Sequence, residues 1–177
     1  MEPNNLNSTD RAMITAAFSN KESAERAYQT LEERGYTKDE INVLMSDDTR
    51  KKYFKHEEHP TDLGNKAMEG AGKGSAIGGT LGAIAGVIAA IGTSVLIPGL
   101  GLVIAGPLAA GLAGAGAGGV AGGLIGALVG SGIPEDRAKE YERAIKNGHI
   151  VMGVRPRTDD DAVHINREWV VSKDENV

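Results

Sequence analysis

Gly70, Gly74, Gly78, Gly82 and Gly86 recur every fourth residue, and Gly114, Gly118, Gly122, Gly126 and Gly130 repeat the spacing. The two runs mirror each other about residue 100. Folding the chain back there sets each glycine of one run level with a glycine of the other. Glycine at i, i+4 cuts a groove along a helix, and two grooved helices can approach until their backbones touch. From Gly74 to Pro134, 61 consecutive residues contain no Asp, Glu, Lys, Arg or His, and 19 of the chain's 25 glycines lie among them. A helix that is apolar all round must be buried in protein or in lipid. Each glycine costs a helix up to about 1 kcal/mol relative to alanine, so ten at fixed spacing call for close packing to offset them. A flexible linker would be Ser-rich and polar, whereas Ile, Leu and Val are interleaved here.

The expected element is a glycine-zipper α-helical hairpin over residues 66–132. Its first helix runs from about Lys66 to Ile97, where Pro98 and Gly99 stop it. Gly101 and Gly106 loosen the turn, and Pro107 suits the first turn of a second helix that ends near Gly130. Leu108, Leu112, Val120, Leu124 and Leu128 fall opposite the glycines, so one face is thin and the other bulky. Between Gly74 and Ile97 a rise of ~1.5 Å per residue gives roughly 36 Å, enough for a hydrocarbon core of about 30 Å. Lys66 and Lys73 before the run, with Arg137 and Lys139 after it, suit anchoring on the cytosolic side. Alanine and glycine partition weakly into lipid, so hairpins stacking on copies of themselves are the alternative environment.

Both flanks look like ordinary soluble sequence. Residues 1–10 form a polar tail with no apolar core, hence neither a signal nor a transit peptide. Over residues 11–65, Ala12 to Phe18 predicts a strand, Asn20 a helix cap, and Ala24, Ala27, Tyr28 and Leu31 one apolar helical stripe closed by Gly35. Ile41 to Met45 predicts a second strand, giving a βαβ unit with parallel strands. Asp47 to Asn65 reads as a loop with one short helix. Over residues 133–177, Pro134 with Glu135 and Asp136 opens a helix burying Ala138, Tyr141 and Ile145, and His149 to Val154 predicts a third strand. Thr158 and Asp159–Asp161 cap a last helix with Ala162, Ile165 and Trp169 on one face, although residues 158–171 also fit an edge strand. The fold class is thus α/β (α+β): a small βαβ…αβα layer interrupted by the hairpin.

Composition removes several functions. The net charge of −5 argues against nucleic acid, and the absence of cysteine excludes thiolate chemistry. His56, Glu57, Glu58 and His59 lack the i, i+4 histidine pair of a zinc helix. Asp159–Asp161 miss the calcium-loop spacing. Gly114 to Gly119 evoke a dinucleotide loop, but the glycines continue and no acidic residue follows to hold a ribose. The expectation is therefore no catalytic residues, no cofactor, no metal, no small-molecule substrate and no enzymatic activity.

The stretch Ile97-Pro-Gly-Leu-Gly, the run Ala105-Gly-Pro-Leu-Ala-Ala, the Gly/Ala repeat and Gly132-Ile-Pro-Glu-Asp with Tyr141-Glu142 and Gly148 resemble the glycine-zipper-containing general stress proteins, the YflT-like or low-temperature-induced proteins. The resemblance covers roughly Met13 to Val154, and it is by pattern rather than motif over the first βαβ segment. It implies a bacterial protein induced by heat, cold, salt or desiccation, with no established enzymatic activity. The C-terminal end with Trp169 departs from that pattern. Together these readings predict a non-enzymatic general stress protein whose hairpin inserts in a membrane, drives homo-oligomerisation, or both. The alternative is a soluble structural protein polymerising into particles or filaments through the same hairpins. Its expected location is the cytoplasmic side of the cell membrane, or the cytoplasm as a large assembly, with other copies of itself and lipid as partners.

Overall fold

The computed structural model describes residues 11–54, 84, 95–97, 101–109, 123–130 and 132–174. In chain order the elements are β1 (Ile14–Phe18), α1 (Lys21–Glu33), β2 (Ile41–Ser46), α2 (Asp47–Phe54), β3 (Val95–Ile97), β4 (Leu102–Ala105), α3 (Gly123–Gly130), α4 (Glu135–Lys146), β5 (Ile150–Val154) and α5 (Asp159–Asp174). The fold is mixed helix and sheet, an α+β arrangement.

The strands form one sheet in the order β1-β5-β2-β4-β3, with every neighbouring pair antiparallel. β1 and β2 do run parallel, as a βαβ unit requires, but they are not neighbours. β5 lies between them, pairing Ile14 with Val154 on one side and Ile41 with Val154 on the other. This is a split βαβ, and it makes the two flanks of the sequence one structure rather than two halves in contact.

Helices cover both faces of the sheet. Strand alternation sends Ile41, Val43, Met45, Met152 and Phe18 into a core under α1 and α5, where Trp169 meets Phe18 edge to face at 5.7 Å. The opposite face sends Leu44, Ile104 and Val151 against Leu124, Leu128, Tyr141 and Ile145 of α3 and α4. Burial on both faces explains why INVLM and IVMGV read as continuous apolar runs without alternation.

Several helix signals act as expected. The Asn20 side chain accepts from the Ser23 amide at 2.8 Å and caps α1. α5 is a helix, not an edge strand: Thr158 Oγ1 accepts from the Asp161 amide at 3.0 Å, and Ile165 and Trp169 are buried. Trp169 also donates from Nε1 to the Ala27 carbonyl at 3.2 Å, fixing α5 across α1.

The turn around residue 100 corrects the expected hairpin. Residues 95–97 are strand, not the end of a helix reaching Ile97, and the chain reverses through a β-hairpin that sets Ile97 opposite Leu102. Val95, Ile97, Val103 and Ile104 are β-branched, and a Pro-Gly pair stands between them. That is a strand–turn–strand signal, and it wins over the helical period. β4 then pairs with β2 from Val43↔Ala105 to Ser46↔Leu102, so the middle of the uncharged run is part of the sheet. Pro107 does begin a helical turn at residues 107–109. The helix expected from there to Gly130 is not continuous, because Gly123 has a φ of +62°, which no helix interior carries.

Asn42 and Gly106 lock the run to the sheet. Asn42 is buried; its Nδ2 donates to the Gly153 carbonyl at 3.2 Å and its Oδ1 accepts from the Leu108 amide at 2.7 Å. One side chain thereby joins β2, β5 and the start of the 107–109 turn. Gly106 has a φ of +94°, and a Cβ there would collide with the Ile41 carbonyl. Gly106→Ala is expected to lower unfolding free energy by at least ~2 kcal/mol, read from the urea midpoint. Gly126→Ala, in helical backbone with no described atom within 4 Å of the added methyl, should raise it by up to about 1 kcal/mol. Similar effects from both would refute the locked geometry at residue 106.

Candidate functional site

α3 is the one described helix that carries glycines of the repeat, and its two sides differ. Leu124 and Leu128 are buried in the core shared with α4. Gly126, Val129 and Gly130 face outward, with Val129 42% exposed, and no described atom lies within 4 Å of a Cβ built on either glycine. The bulky side is thus spent on the chain's own sheet, and the thin side meets no described residue. The expected opposition of leucines and glycines holds over this helix. What lies against the glycine face, expected to be the other leg, is not among the described residues.

The corner between α3 and α4 fixes how that face is presented. The Gly132 amide donates to the Val129 carbonyl at 2.9 Å and the Ile133 amide to the Leu128 carbonyl at 3.0 Å, with Gly132 at a φ of +89°. This is the Schellman arrangement, and its usual apolar contact is made by Ile133 and Leu128 in one core. α4 begins two residues later at Glu135, so α3 has no slack relative to the sheet. Tyr141 then ties α4 to β1: Thr15 Oγ1 lies 2.7 Å from the phenol oxygen, which donates to the Thr15 carbonyl at 3.0 Å.

Of the remaining expected residues, Gly101 has a φ of +60° in the β3–β4 turn, where its carbonyl accepts from the Asp47 amide at 2.7 Å, and Pro107 is exposed. Gly70, Gly74, Gly78, Gly82, Gly86, Gly114, Gly118 and Gly122, with Pro98 and Gly99, lie outside the described residues, as do His56, Glu57, Glu58 and His59. Ile84 is described: it is fully buried in the core under α1, and its amide donates to Glu25 Oε2 at 3.4 Å. No described helix is long and apolar enough to cross a membrane. Among the described residues no three His, Asp or Glu side chains gather as a metal site would need.

An ionic latch, which the sequence reading missed, closes the other face. Arg157 grips Glu40 with two bonds, 3.0 Å from Nε and 2.6 Å from Nη2, and lies 4.4 Å over the Tyr36 ring. The Tyr36 hydroxyl accepts from the Arg157 amide at 2.9 Å and donates to Asp161 at 3.1 Å. Arg34 bonds both Asp161 and Asp160, and Arg11 bonds Asp159. The three aspartates read as helix caps are therefore each matched to an arginine from the N-terminal flank. Pairs separated by 117 to 148 positions leave no periodic trace in the sequence.

The latch sets the charges that hold it. The hydrogen bonds from Arg157, opposed by burial and helped by Thr37, bring the Glu40 carboxyl down from its ordinary 4.5 to about 2. Burial pushes the Asp161 carboxyl up, but hydrogen bonds from Arg34, Thr158 and Tyr36 outweigh it and hold the group below its usual range. A carboxyl depressed by folding stabilises the fold above its unfolded pKa and loses that contribution as pH falls through its folded pKa. Stability should therefore decline as pH drops from about 4.5 to about 2, followed by Trp169 fluorescence in urea titrations. Glu40→Gln should shallow this decline, and an unchanged slope would show that the pair with Arg157 contributes nothing.

No family model, curated protein or solved structure matches this chain.

Proposed function

We propose that this chain is a non-enzymatic bacterial general stress protein that assembles with copies of itself through its glycine-patterned, uncharged segment. The observation that carries the reading is the outward face of α3. Gly126, Val129 and Gly130 are presented without a charge, on a helix whose other side is fixed in the core. A helix surface of that kind lets a second backbone come close, so dispersion and apolar burial act over a long contact. The α+β domain supplies a rigid base from which the segment departs and to which it returns. The stress role rests on the resemblance of the IPGLG, AGPLAA and GIPED stretches.

Contact with the cytoplasmic face of a membrane is the second reading, favoured by the 61 residues without a charge. A straight hairpin with its tip at residue 100 does not fit it, because that tip is strand on the sheet. Lipid contact would instead involve uncharged residues on either side of that β-hairpin.

Sedimentation of the purified chain without detergent tests the proposal. The wild type is expected to run as a large lipid-free particle, and a double Gly126→Leu, Gly130→Leu variant as a much smaller species. No described atom lies within 4 Å of a Cβ at either site, so circular dichroism should show the domain still folded. Unchanged assembly in the variant would overturn the reading, and a carbonate-resistant membrane pellet from cells would favour the second.

A further inference from the structure

β1 stands at an edge of the sheet: β5 takes one side, and no described strand takes the other. An open edge presents a row of backbone donors and acceptors to any other strand, here with the Thr15 carbonyl already bonded to Tyr141, and proteins usually guard it with lysine, proline or a bulge. The segment Ile14–Phe18, ITAAF, has neither lysine nor proline, and it pairs with β5 in unbroken register. A groove of about 350 Å³ opens beside the start of this strand. It is lined by Met13 and Thr15, by Ile133 and Arg137 from the α3–α4 corner, and by Asn166 from α5. Because α4 and α5 cover opposite faces of the sheet, the groove wraps the edge from both sides.

Among the described residues Arg137 is the only charged one in this lining. Its guanidinium sits 5.7 Å over the Tyr141 ring, and the Tyr141 hydroxyl is bonded to Thr15 of β1, so the cation is held next to the edge strand. No described carboxylate pairs with it. The geometry points to a docking site at which an extended segment of another protein adds to β1 as a further strand and places an acidic side chain on Arg137. Side chains of an added strand alternate between faces. Alternate positions therefore meet Arg137 and Ile133 on one side and Asn166 on the other. Backbone pairing supplies affinity in this mode, and the side-chain contacts supply selectivity. The site is separate from the glycine face of α3 and does not depend on the self-assembly reading.

The test uses the full chain and a capped eight-residue peptide of alternating valine and threonine with glutamate at its fourth position. The same peptide with lysine there, and one N-methylated at alternate residues, serve as comparisons. Binding is followed by fluorescence anisotropy of a labelled peptide. The net charge of −5 disfavours an acidic ligand over most of the surface, so a preference for glutamate reports Arg137. The glutamate peptide is expected to bind about tenfold more tightly than the lysine peptide, with the order reversed in Arg137→Glu. The N-methylated peptide, unable to complete the ladder, should not bind. Equal binding of the two charged peptides, their failure to bind, or full binding by the N-methylated one would each overturn the proposal. So would a dimer of the chain that Arg137→Glu dissolves and the peptide displaces, since the occupant would then be a second copy.

Discussion

The structure depends on the pairing of β5 with both β1 and β2. A five-residue strand from the far end of the chain lies between, and pairs with, two strands that a single helix connects. Once it is in place, its Ile150, Met152 and Val154 complete the core under α1 and α5, and its Val151 completes the core under α3 and α4. Both hydrophobic layers thus close together around one central strand. The ionic latch of Arg34, Arg157 and Arg11 with the acidic residues of the opposite flank reinforces this join on one face, and the Thr15–Tyr141 bond does so on the other.

The described parts of the uncharged segment are drawn into that frame. β4 extends the sheet beyond β2, Asn42 receives the amide of Leu108, and Leu124 and Leu128 fill the second core. Among the described residues of that run, the Gly126 and Gly130 side of α3 faces outward while Leu124 and Leu128 are taken up by the core.

The amphipathic helices and strands of the two flanks were legible in the sequence because each follows a local rule. Asn20 caps α1, the stripe Ala24, Ala27, Tyr28 and Leu31 is buried, Ala138, Tyr141 and Ile145 line α4, and Thr158 starts α5. Strand order was not legible, since nothing in HIVMGV says that it enters between two earlier strands. Residues 95–105 were misread for a different reason. The every-fourth-residue glycine period continued on either side, and it hid two short β-branched runs around Pro98-Gly99. The latch escaped because an arginine and an aspartate more than a hundred residues apart look like any exposed charges. The candidate face on α3 was half visible: opposition of Leu124 and Leu128 to Gly126 and Gly130 follows from helical geometry, but which side the domain would claim does not.

The central position of β5 has a consequence for synthesis. A ribosome adds ~5–20 residues per second, and β2 ends at Ser46 while β5 ends at Val154. The 108 residues between those two points take roughly 5–20 seconds at that rate, and until they are added the nascent chain has no finished sheet. Late arrival of the keystone strand leaves the apolar faces of β1 and β2 waiting for their shared partner throughout that interval.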